Sequence, residues 1–341
     1  MKNSKEVTIY DVAKVLNLSP STVSRGLKDH PHIKKETCDR IKVVAREMGY
    51  RRNKFASSLR KKSTETIGVV VPRLNSYFMA TAIAGMEKIT NQLGYGLIIS
   101  QSQESAKQEI ACLSTLYNSR VDGFLISLAY DSADFNYFNT LFSKGIPVVF
   151  FDRVAEYNDC MSIVIDNFRA GYEITKHLTE QGCKRIMHLG GNLLRNVYYD
   201  RFWGYRRALD EAGLEFDDKM HVINDLSSQS GLDVARSILE MKSRPDGIFT
   251  ANDTTAVALI CELQREGIRI PEDIAVAGFN NEPVSQVIKP NLTTIDYPAR
   301  EIGEVAATSL INKLRYNENI GFSRVVLRHR LIIRDSSLKK G

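Results

Sequence analysis

Residues 8–25 read TIYDVAKVLNLSPSTVSR, a stretch that predicts two short helices joined by a tight turn. The apolar residues of the first helix recur at the spacing of one helix face: Ile9, Val12, Ala13 and Leu16. Ser19 is a suitable N-cap for the second helix, and Pro20 suits its first position. The second helix is expected to bury only Val23 and Leu27, with its Ser and Thr side chains pointing away from the buried face. This is the layout of a helix-turn-helix, although an ordinary amphipathic helix pair fits the same pattern.

The basic residues of the chain are concentrated at its start. The first 65 residues contain sixteen Lys and Arg against seven Asp and Glu, whereas the remainder contains 30 against 33. The formal net charge of +6 is therefore carried entirely by the first fifth of the chain. A basic module attached to a nearly neutral body is typical of proteins that bind polyanions. The charge distribution thus favours the helix-turn-helix interpretation and indicates double-stranded DNA as a partner.

Three short motifs in this region, TIYDVA (8–13), LS (18–19) and TVSR (22–25), resemble the DNA-binding head of the LacI/GalR repressors. The resemblance extends over essentially the whole chain. It implies a bacterial transcription factor whose effector-binding core controls its affinity for an operator.

A third helix and a basic linker follow. Residues 35–48 show helical apolar spacing and end at Gly49, a suitable C-terminal cap. The linker YRRNKFASSLRKK (50–62) interleaves basic residues with a short apolar stripe. The family resemblance implies a hinge helix that forms on the operator, with Leu59 wedged into the minor groove; a disordered basic tether is the alternative. Arg52 departs from the family pattern, because many members carry proline there.

Short Ser and Thr side chains allow the second helix to approach base edges and phosphates closely, and Arg25 reaches further. Together with the family resemblance, this gives a set of candidate DNA-binding residues. They are Thr8, Tyr10, Ser19, Pro20, Ser21, Thr22, Ser24, Arg25, Lys28, Tyr50, Asn53, Leu59 and Arg60.

From Thr66 the pattern changes to alternating strands and helices. Short apolar runs predict strands near residues 67–71, 95–99, 123–127, 146–151, 185–189, 221–224, 247–250 and 275–279. The intervening helices are predicted near residues 78–93, 107–118, 170–181, 201–212, 229–241 and 254–266. Continuous apolar strands linked by helices indicate parallel sheets covered on both faces. We therefore predict a multidomain chain with an all-α head and an α/β core made of two doubly wound parallel sheets.

The family resemblance implies that this core has two lobes, like a periplasmic sugar-binding protein, with three crossings between them. Residues 292–297 and the helix near 300–314 would return to the first lobe, and a last strand, 325–333, would end in the second. The predicted domains are the head (1–49), the hinge (50–65) and the core (66–335). Within the core, lobe 1 covers about 66–164 and 296–324, and lobe 2 about 165–295 and 325–335.

An effector is expected in the cleft between the lobes, where polar residues follow predicted strands: Asp152, Asp166, Asn252, Asp253 and Asn280. Buried carboxylates and amides suit sugar hydroxyls, because they hold adjacent donors and acceptors. The resemblance adds Arg201 and the aromatic pair Tyr77 and Phe78. Each of these residues also fits a plain role as a helix N-cap or loop residue.

Two departures from the family pattern affect the identity of the effector. Many sugar-responsive members have aspartate at the position of Asn280, and often an aromatic residue at that of Leu226. A nucleoside or another small metabolite therefore stays open beside a sugar. Arg195 and Arg201 leave room for an anionic group such as phosphate or carboxylate.

Other classes of protein are disfavoured. The sequence has no P-loop, no GxSxG motif and no zinc-ligand spacing, so we expect neither an enzyme nor a cofactor or metal. The five cysteines are scattered, and no apolar run of eighteen residues or signal-like start occurs, which predicts a cytoplasmic protein without membrane contact.

The sequence as a whole predicts a homodimeric transcriptional regulator, expected to be a repressor, that binds a palindromic operator and responds to a small molecule, expected to be a sugar or sugar derivative. The alternative is a cytoplasmic sugar- or nucleoside-binding sensor without operator-specific DNA binding.

Overall fold

The structure is a computed structural model that describes residues 7–50, 63–155, 160–316 and 323–339. The chain divides after Thr64 into two compact units, the head and the core. Each unit is described separately below.

The head contains three helices, α1 (Ile9–Leu16), α2 (Pro20–Gly26) and α3 (Lys35–Glu47). A capping box begins α1, because the Thr8 amide donates to Asp11 at 2.8 Å while the Asp11 amide donates to the Thr8 hydroxyl at 3.4 Å. Asn17 ends α1 in the left-handed conformation, with φ 53°. Ser19 caps α2 by accepting from the Thr22 amide at 3.1 Å. The predicted helix-turn-helix is therefore present.

The three helices close over a small apolar core. Its buried members are Val12, Ala13, Leu16, Val23, Ile41 and Ala45. Gly49, with φ +70°, ends the third helix region in the left-handed conformation, and the Tyr50 amide donates to the Ala45 carbonyl at 2.9 Å. The predicted glycine cap is confirmed. Because this cluster has only six buried members among the described residues of the head, it supplies little stability by itself.

The first lobe of the core is built on a six-stranded sheet in the order β11-β5-β4-β3-β1-β2, with every pair parallel. Its strands are β1 (Thr66–Val71), β2 (Gly96–Gln101), β3 (Gly123–Ile126), β4 (Val148–Phe151), β5 (Met161–Ile165) and β11 (Ser323–Leu327). Its helices are α4 (Tyr77–Leu93), α5 (Ala106–Asn118), α6 (Asn139–Ser143) and α12 (Ala299–Tyr316). The central strands are buried on both faces, as their continuous apolar sequences predict.

The second lobe has a six-stranded sheet in the order β12-β10-β9-β8-β6-β7. Its strands are β6 (Ile186–Gly190), β7 (His221–Ile223), β8 (Gly247–Thr250), β9 (Ala275–Asn280), β10 (Thr293–Asp296) and β12 (Arg330–Ile332). Its helices are α7 (Asn167–Glu180), α8 (Asn196–Glu211), α9 (Ser228–Glu240), α10 (Asp253–Arg265) and α11 (Val284–Val287). The chain passes between the two sheets three times, as the family resemblance implied.

The structure corrects three details of the predicted core. Residues 292–297 do not return to the first lobe, because β10 pairs with β9 in the second sheet. The single last strand predicted at 325–333 is two strands, β11 in the first sheet and β12 in the second. β12 runs antiparallel to β10, so the second sheet is not wholly parallel. The sequence conceals this crossing, because the residues between the two strands, Arg328 and His329, include no Gly or Pro of the kind that usually marks a strand end.

Helix α8 begins at Asn196, five residues before the predicted start near Arg201. It crosses α7 at very short distance, because a Cβ at Gly204 would lie 2.1 Å from the Phe168 carbonyl oxygen. A Cβ at Gly171 would likewise lie 2.4 Å from the carbonyl oxygen of Arg201. The two glycines therefore allow the close approach of α7 and α8 that positions Arg201.

Among the described residues, the structure contains no helix that is long and apolar enough to cross a membrane.

Candidate functional site

Helix α2 presents a polar, exposed face in the head. The hydroxyl of Ser19 lies 2.8 Å from each of the Ser21 and Thr22 hydroxyls, so the three side chains form one small network. Arg25 and Lys28 are exposed near the other end of this helix. Tyr10 on α1 is an aromatic residue with 70% of its surface exposed. An exposed face of short hydroxyl side chains flanked by cations is suited to the phosphates and base edges of DNA.

The remaining predicted DNA-binding residues have different environments. The hydroxyl of Thr8 donates to Asp11 at 2.7 Å within the capping box. Tyr50 is half-buried after α3. Asn53, Leu59 and Arg60, and with them the predicted hinge helix, lie outside the described residues.

A cavity of about 440 Å³ lies between the two lobes of the core. The first lobe supplies residues that follow β1, β2 and β4, and the second lobe supplies α8 and residues that follow β7, β8, β9 and β10. Because the carboxyl ends of parallel strands meet at one sheet edge, both lobes direct their strand ends into this cavity. Its volume suits a small molecule of sugar or nucleoside size.

Asp152 is the buried carboxylate of the cavity. It follows β4 with φ 58°, and its oxygens accept from the Tyr297 hydroxyl at 2.9 Å and the Ser127 hydroxyl at 3.3 Å. Burial raises the pKa of Asp152, and the nearby guanidinium groups of Arg153 and Arg201 oppose that rise. The carboxylate is thus held by donors from both lobes.

Arg201 faces Asp152 from helix α8 and is 3% exposed. Its Nε donates to the Asn167 side-chain oxygen at 2.9 Å, and its Nη1 donates to the Ala251 carbonyl at 3.0 Å. The guanidinium also lies 3.5 Å from the ring centroid of Phe279, in a cation–π arrangement. These contacts hold the planar group in one orientation at the cavity wall.

The first lobe contributes a second charged group. Glu104 accepts from Arg153 at 2.7 Å and lies 3.3 Å from the Nε of Arg73. Arg153 also donates to the hydroxyl of Tyr198, on α8 of the other lobe, at 2.9 Å. Both arginines at this end of the cavity are therefore already paired with a carboxylate.

Two amides at strand ends complete the predicted set. The Asn252 side chain caps α10 by accepting from the Thr255 amide at 2.8 Å, and it donates to the Leu226 carbonyl at 2.7 Å. Asn280, in the left-handed region at φ 108°, donates to Glu282 at 3.3 Å. Asn252 thus acts as an N-cap while it also lines the cavity.

The structure brings most of the predicted effector-binding residues to the cavity. They are Tyr77, Phe78, Asp152, Arg201, Asn252 and Asn280. Two are not brought there. Asp166 is exposed and caps α7 by accepting from the Arg169 amide at 2.8 Å. Arg195, which precedes α8, is 3% exposed and donates to the Ser132 carbonyl in the first lobe, outside the cavity lining.

Sequence reasoning missed several cavity residues: Arg73, Glu104, Arg153, Tyr198, Asp225, Glu282 and Tyr297. Arg153 directly follows Asp152 at a strand end, so its position alone was a usable signal. Tyr198 and Arg201 are three residues apart on one helix face, but the late predicted start of α8 concealed that relationship. Glu104 lies in a loop and carries no pattern.

Among the described residues no group of three or more His, Cys, Asp or Glu side chains is placed to hold a metal ion.

A helix-turn-helix head joined to a two-lobed core with a polar cavity defines the class of DNA-binding regulators with a ligand-binding core. Residues 8–53 match the family described as "Bacterial regulatory proteins, lacI family", and residues 175–337 match the "Periplasmic binding protein-like domain". Catabolite control protein A of Priestia megaterium is 31% identical over 332 residues, covering 97% of this chain and 99% of that protein. The chain belongs to the LacI family of bacterial regulatory proteins and is a DNA-binding transcriptional regulator.

Solved structures agree with this assignment. A structure of the transcriptional regulator CelR in complex with cellobiose is 26% identical, with a TM-score of 0.73, and the match covers 97% of this chain and 100% of that one. The Lac repressor dimer bound to operator and the anti-inducer ONPF has a TM-score of 0.87 at 23% identity, covering 98% of this chain and all of that one, and shows the common fold.

Proposed function

We propose that this regulator is a cytoplasmic, non-enzymatic homodimer that represses transcription at a palindromic operator, and that a neutral polyhydroxylated effector, a sugar or sugar derivative, binds the cavity between its lobes. The proposal is carried by one observation. The strand ends of both lobes converge on a polar cavity of about 440 Å³.

The head supports the DNA-binding part of the proposal. Its polar face, with exposed Ser19, Ser21 and Arg25, would contact base edges, and the exposed Lys28 would contact phosphate. A single head offers a small surface, so a dimer that places two heads on a palindrome doubles both the contacts and the sequence information. The Lac repressor, which shares this fold, was solved as a dimer bound to operator.

The charges of the cavity favour a neutral effector. Arg73 and Arg153 are both paired with Glu104. Arg201 lies near Asp152, and its positive charge opposes the rise that burial causes in the pKa of that carboxyl. Asp225 and Glu282 add further carboxylates to the lining. An anionic ligand would have to compete with these carboxylates for the arginines, whereas hydroxyl groups can share both donors and acceptors. Arg195 and Arg201 left room for an anionic group in the sequence, and these pairings support a neutral effector instead.

The CelR–cellobiose complex supports a sugar as the ligand class, because that regulator has the same fold and an identity of 26%. Hydrogen bonds from one ligand to both lobes would favour the closed arrangement of the lobes. The operator-bound and free forms would then differ in energy by the differential affinity of the effector for the two arrangements.

The first experiment is selection of binding sites from random-sequence DNA with the full chain, followed by titration of the selected site with neutral sugars, sugar phosphates, sugar acids and nucleosides. We expect a palindrome and one neutral sugar-like compound that changes operator affinity. If a sugar phosphate alone were active, the neutral assignment would be wrong. If no DNA sequence were enriched while a sugar still bound, the chain would be a sensor without operator specificity.

Arg25→Ala tests the assignment of α2 as the reading helix. Loss of a base contact should weaken the selected site by about 1–3 kcal/mol and relax selection at one base step. Arg46→Ala is the matched control, because it removes the same charge from the exposed surface of α3. The control should leave the selected sequence unchanged; equal relaxation in both variants would argue against base reading by Arg25.

A further inference from the structure

A tyrosine of the first lobe inserts its hydroxyl into the second lobe. Tyr130 follows β3, and its hydroxyl donates to the Asn224 carbonyl at 2.7 Å while it accepts from the Asn192 amide at 2.5 Å. Asn192 follows β6 and Asn224 follows β7, so one hydroxyl joins the ends of two neighbouring strands. The Asn192 side chain also donates back to the Tyr130 carbonyl at 3.4 Å.

The second lobe makes the reverse insertion at the start of α8. The Asn196 side chain donates to the Asp152 carbonyl at 3.1 Å and accepts from the Val154 amide at 3.0 Å, so it completes the backbone hydrogen bonding after β4. The preceding residue, Arg195, donates to the Ser132 carbonyl. Each lobe therefore supplies side chains that satisfy backbone groups of the other.

Arg195 is buried in a pocket of the first lobe that also contains a carboxylate. Glu109 is fully buried there and accepts from the Ala129 amide at 2.6 Å and the Ser132 hydroxyl at 2.8 Å. The Arg195 guanidinium lies 5.8 Å from the ring centroid of Phe135, and its charge favours the ionised form of Glu109, whose pKa burial raises. Both partners are in the core unit, but they come from different lobes.

We propose that Tyr130, Arg195 and Asn196 form a reciprocal latch that holds the two lobes closed. None of the three lines the cavity. They are therefore positioning residues that set the population of the closed arrangement without contacting an effector. An effector that binds the closed arrangement has an apparent affinity reduced by the fraction of molecules that are open, so the latch would tune the response of the regulator.

The latch makes a prediction that needs no effector. If its contacts open together, loss of the Tyr130 hydroxyl should expose the Val154 amide, although that amide bonds to Asn196 and not to Tyr130. We would measure backbone amide hydrogen exchange of the full chain by NMR in the Tyr130→Phe variant. Loss of the hydroxyl's two bonds should increase exchange at Val154 about tenfold or more.

Two controls separate a latch from general destabilisation. Tyr199→Phe removes the hydroxyl of a half-exposed tyrosine on α8 and should leave hydrogen exchange at the Val154 amide unchanged. The Phe249 amide in the central strand β8 should keep its exchange rate in Tyr130→Phe, because opening of the lobes leaves the second sheet intact. Equal acceleration at Phe249 and Val154 would indicate a role in overall stability only.

The reverse variant completes the test. Arg195→Met should increase exchange at the Asn192 amide, which bonds to Tyr130. Unchanged Val154 exchange in Tyr130→Phe, or unchanged Asn192 exchange in Arg195→Met, would show that the contacts open independently and would overturn the latch. Because operator and effector are both absent from this experiment, its outcome does not depend on the proposed function.

Discussion

The head and the core place their functional side chains in opposite physical environments. In the head, the hydroxyls and cations of α2 are exposed, and the residues that hold the fold together lie on the other face. In the core, Asp152 and Arg201 are buried at the cavity wall and bonded to groups of the protein itself. Binding and stability are therefore separable in the head and coupled in the core. An exposed side chain can be removed at little cost, whereas a buried ionic group leaves unpaired partners behind.

Arg201→Ala should give the largest change in stability that tests this difference between the head and the core. Removal of Arg201 leaves the Asn167 oxygen and the Ala251 carbonyl without their donor and takes away one of the two cations near Asp152. We expect the core to lose about 3 to 5 kcal/mol of unfolding free energy together with effector binding. Urea unfolding followed by Trp203 fluorescence measures this, because the single tryptophan of the chain lies in the core.

Arg207→Ala is the matched control on the same helix. Arg207 pairs with Glu211 at 2.8 Å across one exposed turn of α8. Surface pairs of this kind contribute little to stability, so the unfolding midpoint should scarcely change. If Arg207→Ala cost as much as Arg201→Ala, or if Arg201→Ala left the unfolding midpoint unchanged, the coupling of binding and stability in the cavity would be wrong.

The same difference explains how much could be predicted from the sequence. The caps of the head helices depend on neighbours three to five residues away, as with Thr8 and Asp11 or Tyr50 and Ala45, so a local pattern is enough. The two lobes also follow from strand and helix periodicity. The crossing between β11 and β12 does not, because the two strands differ only in their distant partners, β5 and β10.

The cavity was predictable where a residue follows a strand and unpredictable where a long-range contact decides its place. Asp152 and Asn280 belong to the first kind. Arg195 belongs to the second, since its guanidinium donates to the Ser132 carbonyl of the other lobe, outside the cavity lining. Glu104 lines the cavity and pairs with Arg73 and Arg153, which are distant in the sequence, so no neighbouring residue predicts its role.

The next test concerns the small core of the head. Ile41 is fully buried, and a side chain added at Gly26 would lie 2.4 Å from its Cδ1, so the two helices are in close contact. Ile41→Ala should cost about 3 kcal/mol, which is most of the stability that a core of this size supplies. Far-UV circular dichroism should show an early loss of helix, and operator binding should be lost.

Trp203 fluorescence provides the internal control for Ile41→Ala, because it reports the core alone. We expect its unfolding midpoint to be unchanged. A parallel shift of the fluorescence transition would mean that the head and the core unfold as one cooperative unit, and the separation of the two regions would have to be abandoned.

The smallest expected effect is a dependence of core stability on pH. His188 is fully buried in β6, 4.5 Å from the ring centroid of Phe249, and burial lowers its pKa from 6.5 to about 3. As the pH falls below 6.5, His188 is therefore protonated in the unfolded state while it stays neutral in the folded state. The stability associated with neutral His188 is fully present above pH 6.5 and is lost progressively as the pH falls towards 3.

Between pH 7 and pH 5 this loss should be about 2 kcal/mol, measured by urea unfolding with Trp203 fluorescence. His188→Leu removes the titrating group and keeps an apolar side chain between Phe249 and Tyr205. Its baseline stability should be lower, because the bond from the ring to the Phe249 carbonyl is lost. The difference between the parent and the variant should nevertheless shrink as the pH falls, since only the parent has the buried His188 that the folded state keeps neutral. A difference that stays constant from pH 7 to pH 5 would show that His188 accepts a proton in the folded core as readily as in the unfolded chain, and that burial at this position carries no cost for charge.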